Sequence, residues 1–217
     1  MTTHHRYLDL YPVDPTAKAI IIGTIHPHDH TKFVMDFFYG SQCSLWNIFA
    51  EIFPDHMTRP TSREAVSQFL ADHHITMSDT IRTCNRKNNT ALDKDLIPRL
   101  YNTALVSQLR DSQIEQVFFT SGIGKNNALR TFYTGVLGYK YLPGAVAKNK
   151  TGMLPSDILG RSIAYTVLYS PATTANRGIR NGKEFKKLRH LFANYSDAAH
   201  GYKIYLYKAA FRNLVAG

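Results

Sequence analysis

The sequence predicts an α/β fold: a three-layer sandwich with a central, mostly parallel four-stranded sheet flanked by helices. Three observations carry that expectation. Short apolar runs that end at glycine or at polar residues recur along the chain, the pattern of strands buried on both faces. Segments with helical spacing of apolar residues lie between those runs, as a parallel sheet requires. No internal repeat, low-complexity tract or Ser/Gly/Pro linker divides the chain, so residues 1–217 are expected to form one domain.

The elements follow in order. Lys18–Gly23 (KAIIIG) is the first strand. Leu45-Trp46, Ile48-Phe49 and Ile52-Phe53 repeat at helical spacing behind Ser44, a suitable N-cap. Thr61 or Ser62 caps a helix reaching about Asp72, and Ile75–Thr80 is the second strand. Ile97–Leu109 is expected to be helical, and Ile114–Thr120 is the third strand. Gly122-Ile123-Gly124 turns into a helix that begins near Lys125. Ser162–Ser170 is the fourth strand, followed by a loop and an amphipathic helix over about Asn181–Asn194. The segment GYKIYLYKAAFRNL, after Ala198, fits an edge strand or a helix equally.

A chain of 217 residues buries a core without disulfide or metal staples. Two cysteines, Cys43 and Cys84, make no disulfide framework and fit a reducing compartment. The first residues lack the apolar run of a secretory signal, and Ala19–Ile22 is far too short to cross a bilayer. A cytoplasmic, intracellular setting without membrane attachment is expected. The charge is unevenly placed. Residues 1–137 carry 13 Lys/Arg and 13 Asp/Glu, whereas residues 138–217 carry 13 against only 3, so the whole net charge of +10 lies in the last part. That asymmetry fits a surface facing a polyanion, or a solubilising surface.

In an open parallel sheet, ligands bind beyond the carboxyl ends of the strands. The four segments there are Thr24–His30, Ser78–Asn85, Thr120–Lys125 and Ser170–Arg177, all polar, and a cleft lined by them is the expected site. His26, His28 and His30 with Asp29 suggest a metal-dependent hydrolase, although zinc would need further ligands from later strands, whose loops offer none. His26 differs from its neighbours in preceding Pro27, where backbone direction is set. Phe38 and Tyr39, beside Gly40 and ahead of a helix, are placed to stack a planar ligand.

Five blocks now stand in order, most of them just after a strand: GTIHP at 23–27, FFYGSQCSLW at 37–46, SDTIRTCNRKNNTALDKDL at 78–96, VFFTSG at 117–122 and LYSPATTANRGI at 168–179. In these blocks, from about Ile20 to Leu191, the chain resembles the uracil-DNA glycosylase superfamily, nearest its mismatch-specific and hypoxanthine-acting branches. The resemblance implies a base-excision repair enzyme that flips a deaminated or damaged base from DNA and hydrolyses its N-glycosidic bond, with no metal or other cofactor. By resemblance, the residue before the first proline positions water. Here it is His26, whose neutral imidazole accepts a proton. The catalytic Asn of the hypoxanthine-acting branch aligns with Cys43, a weak hydrogen-bonding group, and Asp29 is the carboxylate that would substitute.

The remaining assignments also follow from the resemblance. Thr24 and Ile25 line the base pocket, and Phe38 or Tyr39 stacks on the base. Ser78 and Asp79 end the second strand, where Asp79 reads N–H groups of a base edge or caps the following turn. Arg86 and Asp93 close the pocket from below, most simply as a salt bridge. Ser170, Thr173, Thr174 and Asn176 belong to a loop that grips the DNA backbone, with Arg177, Arg180, Lys183, Lys186 and Lys187 as a phosphate-tracking ridge. Ile179 is the one apolar candidate in that loop to fill the gap left by a flipped base. The expected partner is single- or double-stranded DNA, bound by a monomer. The alternative within the fold is a catalytically impaired nucleic-acid-binding member.

Overall fold

The computed structural model describes residues 1–59, 61–87 and 90–215. In chain order its strands and helices are β1 (Thr2–His4), β2 (Ala19–Gly23), α1 (Ser44–Ile52), α2 (Arg63–Asp72), β3 (Ile75–Asp79), β4 (Ile81–Arg86), β5 (Leu96–Tyr101), α3 (Leu105–Arg110), β6 (Gln116–Phe119), α4 (Ala128–Thr131), α5 (Gly144–Lys148), β7 (Thr151–Met153), α6 (Ser156–Leu159), β8 (Ala164–Val167), α7 (Asn176–Asn181), α8 (Lys183–Leu188) and α9 (Ala198–Val215).

The central sheet has five strands in the order β3-β2-β6-β8-β7. Its first four are parallel and coincide with the four expected from apolar runs. The fifth, β7, pairs antiparallel with β8 at the edge. Its three residues are all exposed, so no buried run marks it, and the expected four-stranded sheet becomes five.

Alternate residues of each strand point to opposite faces, which divides the core in two. On one face Ala19, Ile21, Met77 and Phe118 pack against α1, α2 and α9 through Trp46, Phe49, Phe69 and Phe211. On the other, Ile20, Ile22, Val117, Phe119 and Val167 pack against α3, α4 and α6 through Leu105, Leu109, Leu129 and Leu159. This is the expected three-layer arrangement. Ser62 is the cap of α2, its hydroxyl accepting from the Ala65 N–H at 3.1 Å. The undecided C-terminal segment is helical, as α9, with Ile204, Tyr207, Phe211 and Val215 on the sheet.

A second sheet was not foreseen. Strands β1, β4 and β5 form an antiparallel sheet in the order β1-β4-β5. The expected helix over Ile97–Leu109 is therefore only half correct: residues through Tyr101 are strand, and the helix α3 starts at Leu105. Pro98, which lacks an N–H, sits opposite Cys84 on an edge strand, where that loss is tolerated. Ile25, Ile81, Cys84 and Leu96 join this sheet to the end of β2. The predicted amphipathic helix at 181–194 is instead α8 followed by a tighter turn over Arg189–Phe192, with α7 before Gly182. Its apolar stripe is as expected: Phe185 and Phe192 are buried against Tyr202 of α9, and Leu188 packs beside them.

Candidate active site

Register places the site. Gly23 of β2 lies opposite Asp79 of β3, at the carboxyl end of the sheet. A side chain at Gly23 would collide with the Asp79 Oδ1 atom and the Tyr39 hydroxyl, so both groups sit directly over the glycine. The Tyr39 hydroxyl hydrogen-bonds Thr120 at the end of β6. Burial, and then the Asp79 carboxylate, hold the Tyr39 phenol well above the ordinary tyrosine range. Tyr39 has a left-handed backbone (φ 57°). That strained position turns Phe38 into the core and leaves Tyr39 half-buried at the strand ends.

Two histidines are locked behind this pair. His5 follows β1, and its Nε2–H donates to Asp79 Oδ2 at 2.7 Å while Nδ1 accepts from the N–H groups of Tyr7 and Leu8. His26 is equally occupied: Nε2 accepts from the Arg6 N–H at 3.0 Å and Nδ1–H donates to the Pro27 carbonyl at 2.7 Å. The rings of His5, Tyr7 and His30 surround it edge-on at 4.6–5.3 Å. Burial, reinforced by the Arg86 charge and the adjacent His5 and His30 rings, lowers the His26 pKa to about 3, against a favourable bond to Pro27. The imidazole is neutral, as expected, but both nitrogens are already engaged by the backbone.

The small sheet brings a further carboxylate. The turn joining β4 to β5 carries Asp93, whose Oδ1 accepts from Thr24 Oγ1 at 2.8 Å. Asn126, itself left-handed (φ 57°), donates from Nδ2 to the Asp93 and Leu96 carbonyls at 3.1 and 2.7 Å, tying this turn to the loop after β6. Burial, and secondarily the Asp79 charge, raise the Asp93 carboxyl to about 6, while the Thr24 hydroxyl, Arg86 and Ser121 work in the opposite direction. Arg86 does not form the expected ion pair with Asp93. Its guanidinium donates to the carbonyls of His26 (2.8 Å) and Thr90 (2.9 Å), clamping the loop after β2 from beneath. Part of this block, residues 88 and 89, lies outside the described residues.

Beside the carboxyl ends runs a cleft of about 790 Å³, lined by Leu92, Thr173, Thr174, Asn176, Arg177, Arg180, Ser196, Asp197 and His200. Leu92 connects it to Asp93. A second cleft of about 550 Å³ begins at the shared Ser196 and carries Lys186, Arg189 and His190. Thr173, Thr174, Arg177, Lys183, Lys186 and Lys187 are exposed, whereas Asn176 is buried and donates to Asp197 Oδ2 at 2.8 Å. Arg180 shares that carboxylate at 2.9 Å. Ser170, partly exposed, accepts from the Ala172 N–H at 3.3 Å.

The chain resembles in fold a solution NMR structure from Methanosarcina acetivorans described as a "putative Uracil DNA glycosylase". The TM-score is 0.51 over 99% of both chains, at 13% sequence identity. No protein-family model and no curated protein matches the chain. At that identity the likeness concerns the fold alone. It agrees with the α/β architecture expected from the sequence.

The site residues expected from the sequence divide into three groups. Thr24, Tyr39 and Asp79 converge, together with His26 just behind them. Ile25 and Ser78 lie adjacent but face inward, Ile25 to the small sheet and Ser78 to the Asn102 amide at 3.1 Å. Asp29, Cys43 and Phe38 stand apart. Asp29 is exposed and accepts from Thr31 N–H and Oγ1 in its own turn. Cys43 is a core residue whose burial raises its thiol pKa, and Phe38 is 2% exposed beneath Tyr7. The histidine cluster is not arranged as a ligand set: His28 bonds Thr3, and His26 has no free nitrogen. Among the described residues no three His, Cys, Asp or Glu side chains are grouped to hold a metal. Ile179, the expected gap-filler, is fully buried. His5 escaped the sequence reading because it lies 74 residues from Asp79 and no periodicity marks it.

Proposed function

We propose that this protein is a DNA glycosylase-like base-excision protein that binds a flipped, deaminated or damaged base at the carboxyl end of its sheet and hydrolyses the N-glycosidic bond. The observation that carries the reading is the meeting of Tyr39, Asp79, Thr24 and Asp93 at the ends of three adjacent parallel strands, beside a cation-lined cleft. The fold likeness supports it. Tyr39 offers the accessible part of its ring for stacking. Asp79, held by His5 through one oxygen, keeps Oδ1 to accept from an N–H of the base edge, which favours hypoxanthine-, xanthine- or uracil-like edges. Ser170, Thr173, Thr174, Arg177, Lys183, Lys186 and Lys187 follow the phosphates. His26 serves as a positioning residue, fixing the loop that carries Thr24, while Asp29 and Cys43 take no part. Leu92, 40% exposed on the lip of the cleft, replaces Ile179 as the apolar group that enters the stack.

A second reading, favoured by the engagement of both His26 nitrogens, is a nucleic-acid-binding member of the same fold without catalysis. One experiment separates the two. Labelled single- and double-stranded oligonucleotides containing uracil, hypoxanthine, xanthine or mismatches are incubated with protein and then cleaved by alkali at abasic sites. Strand scission at one damaged base is the expected result. Salt-sensitive binding with no scission on any substrate selects the second reading.

A further inference from the structure

Resting on the glycosylase reading, we propose that Asp93 is the catalytic carboxylate of this site, taking the proton from the water that attacks the sugar. Three geometric facts converge on it. Its Oδ1 is fixed by Thr24 at the end of β2, and its backbone is fixed by Asn126 from the loop after β6, so the carboxylate is held between two strand ends. Its carboxyl is approached by two hydroxyls, Thr24 at Oδ1 and the Ser121 side chain, both of which favour the ionised form that a general base needs. Its neighbour Leu92 lines the cleft, which brings the turn that carries Asp93 to the cleft edge.

The alternatives at the strand ends are occupied. His26 and His5 each use both nitrogens, and Asp79 uses Oδ2 on His5 and, in the reading above, Oδ1 on the base edge. The step balances without another reagent. The C1′–N bond breaks and its electron pair leaves with the base. The water oxygen bonds to C1′, and its proton passes to the Asp93 carboxylate. Asp93 then returns that proton to the departed base anion.

The charged and titratable groups facing Asp93 are Asp79 of β3, Arg86 of β4 and Tyr39 ahead of α1. Burial, the Thr24 hydroxyl, Asp79, Arg86 and Ser121 together set its ionisation near pH 6. Single-turnover base release is followed from pH 4.5 to 9 for wild type, Asp93→Asn and Thr24→Val, with DNA binding read by fluorescence anisotropy. Wild-type rate rises with pH and levels off above about 6. Asp93→Asn loses roughly 10²–10⁴-fold in rate, the range for removing a general base, and keeps wild-type DNA affinity. Thr24→Val removes the hydroxyl that favours the ionised form, so its inflection moves to higher pH. Asp93→Asn with wild-type rate and the same inflection overturns the assignment while leaving the glycosylase reading standing. Should Asp93→Asn fail to fold, an unmoved inflection in Thr24→Val overturns it instead. Wild type that releases no base from any substrate overturns both.

Discussion

Two side chains carry opposite pH signatures, and both can be read without substrate. His26 ionises at about 3 in the folded chain, against 6.5 for an ordinary histidine. Between those values the unfolded chain takes up a proton that the folded chain refuses, so stability falls as pH drops through that window, by up to about 1.4 kcal/mol per unit. Asp93 is reversed. Its carboxyl ionises at about 6 instead of 3.8, so stability is fully present below 3.8 and is lost as pH rises to 6. Asp93→Asn should therefore melt above wild type at pH 8, by up to about 3 kcal/mol, and should show no such gain at pH 3.5. Calorimetry at the two pH values checks this, and a loss at pH 8 contradicts it. Leu92 makes a different prediction. Truncating an exposed leucine leaves stability within about 0.5 kcal/mol. Leu92→Ala should nonetheless weaken binding to base-flipped DNA about tenfold, from the lost apolar burial of ~1.4 kcal/mol. A fluorescent base analogue opposite the lesion reports the flipped state, and an unchanged signal would sink the wedge role.

At the scale of elements, α9 does more than cover the sheet. Lys203, fully buried on that helix, donates from Nζ to the Pro171 and Ala172 carbonyls at 3.1 and 2.9 Å, and burial lowers its pKa to about 8. The helix thereby holds the loop that starts the cationic surface, and Tyr207 holds the same loop through the Tyr169 carbonyl at 2.8 Å. Lys203→Met leaves two carbonyls without their donor, at a cost of about 1–3 kcal/mol. Faster hydrogen exchange across residues 170–176 and weaker DNA binding are expected, whereas exchange confined to α9 would argue against the tether. The helix itself was illegible in the sequence for a specific reason. Ile204, Tyr207, Phe211 and Val215 face the sheet while Ala199 and Tyr202 face Phe185 and Phe192, so two buried faces blur the single stripe that identifies a helix. Strand β5 carries no strand signal of its own, because LIPRLY lies just before a true helix and is only half-buried.

At the scale of the molecule, the charge asymmetry acquires a location. The neutral first part supplies Thr24, Tyr39, Asp79 and Asp93, and the basic last part supplies both clefts apart from Leu92. Not every cation there is equivalent. Arg180 is paired with Asp197 and Lys187 with Glu184, while Arg177 and Lys186 carry no ion pair among the described residues. DNA affinity should fall log-linearly with salt at a slope of about −0.9 per neutralised phosphate. Arg177→Ala and Lys186→Ala should each reduce that slope by about 1, and Lys187→Ala by less. Titrations at four salt concentrations measure it, and a salt-independent affinity would remove DNA as the partner.

The sequence by itself determined the four parallel strands, because a strand buried on both faces needs a continuous apolar run, and Ala19–Ile22 is one. From those strands it also placed Thr24 and Asp79 at the same carboxyl end of the sheet, because the strands that carry them are parallel neighbours. Tertiary structure alone decided which polar groups are free to act. His26 and Cys43 stand where the resemblance expects catalytic groups, yet one spends both nitrogens on backbone groups and the other is sealed in the core. His5 and Asp93 reach the strand ends through a second sheet whose short, half-exposed strands leave no periodic mark, so only their packing reveals that they meet there.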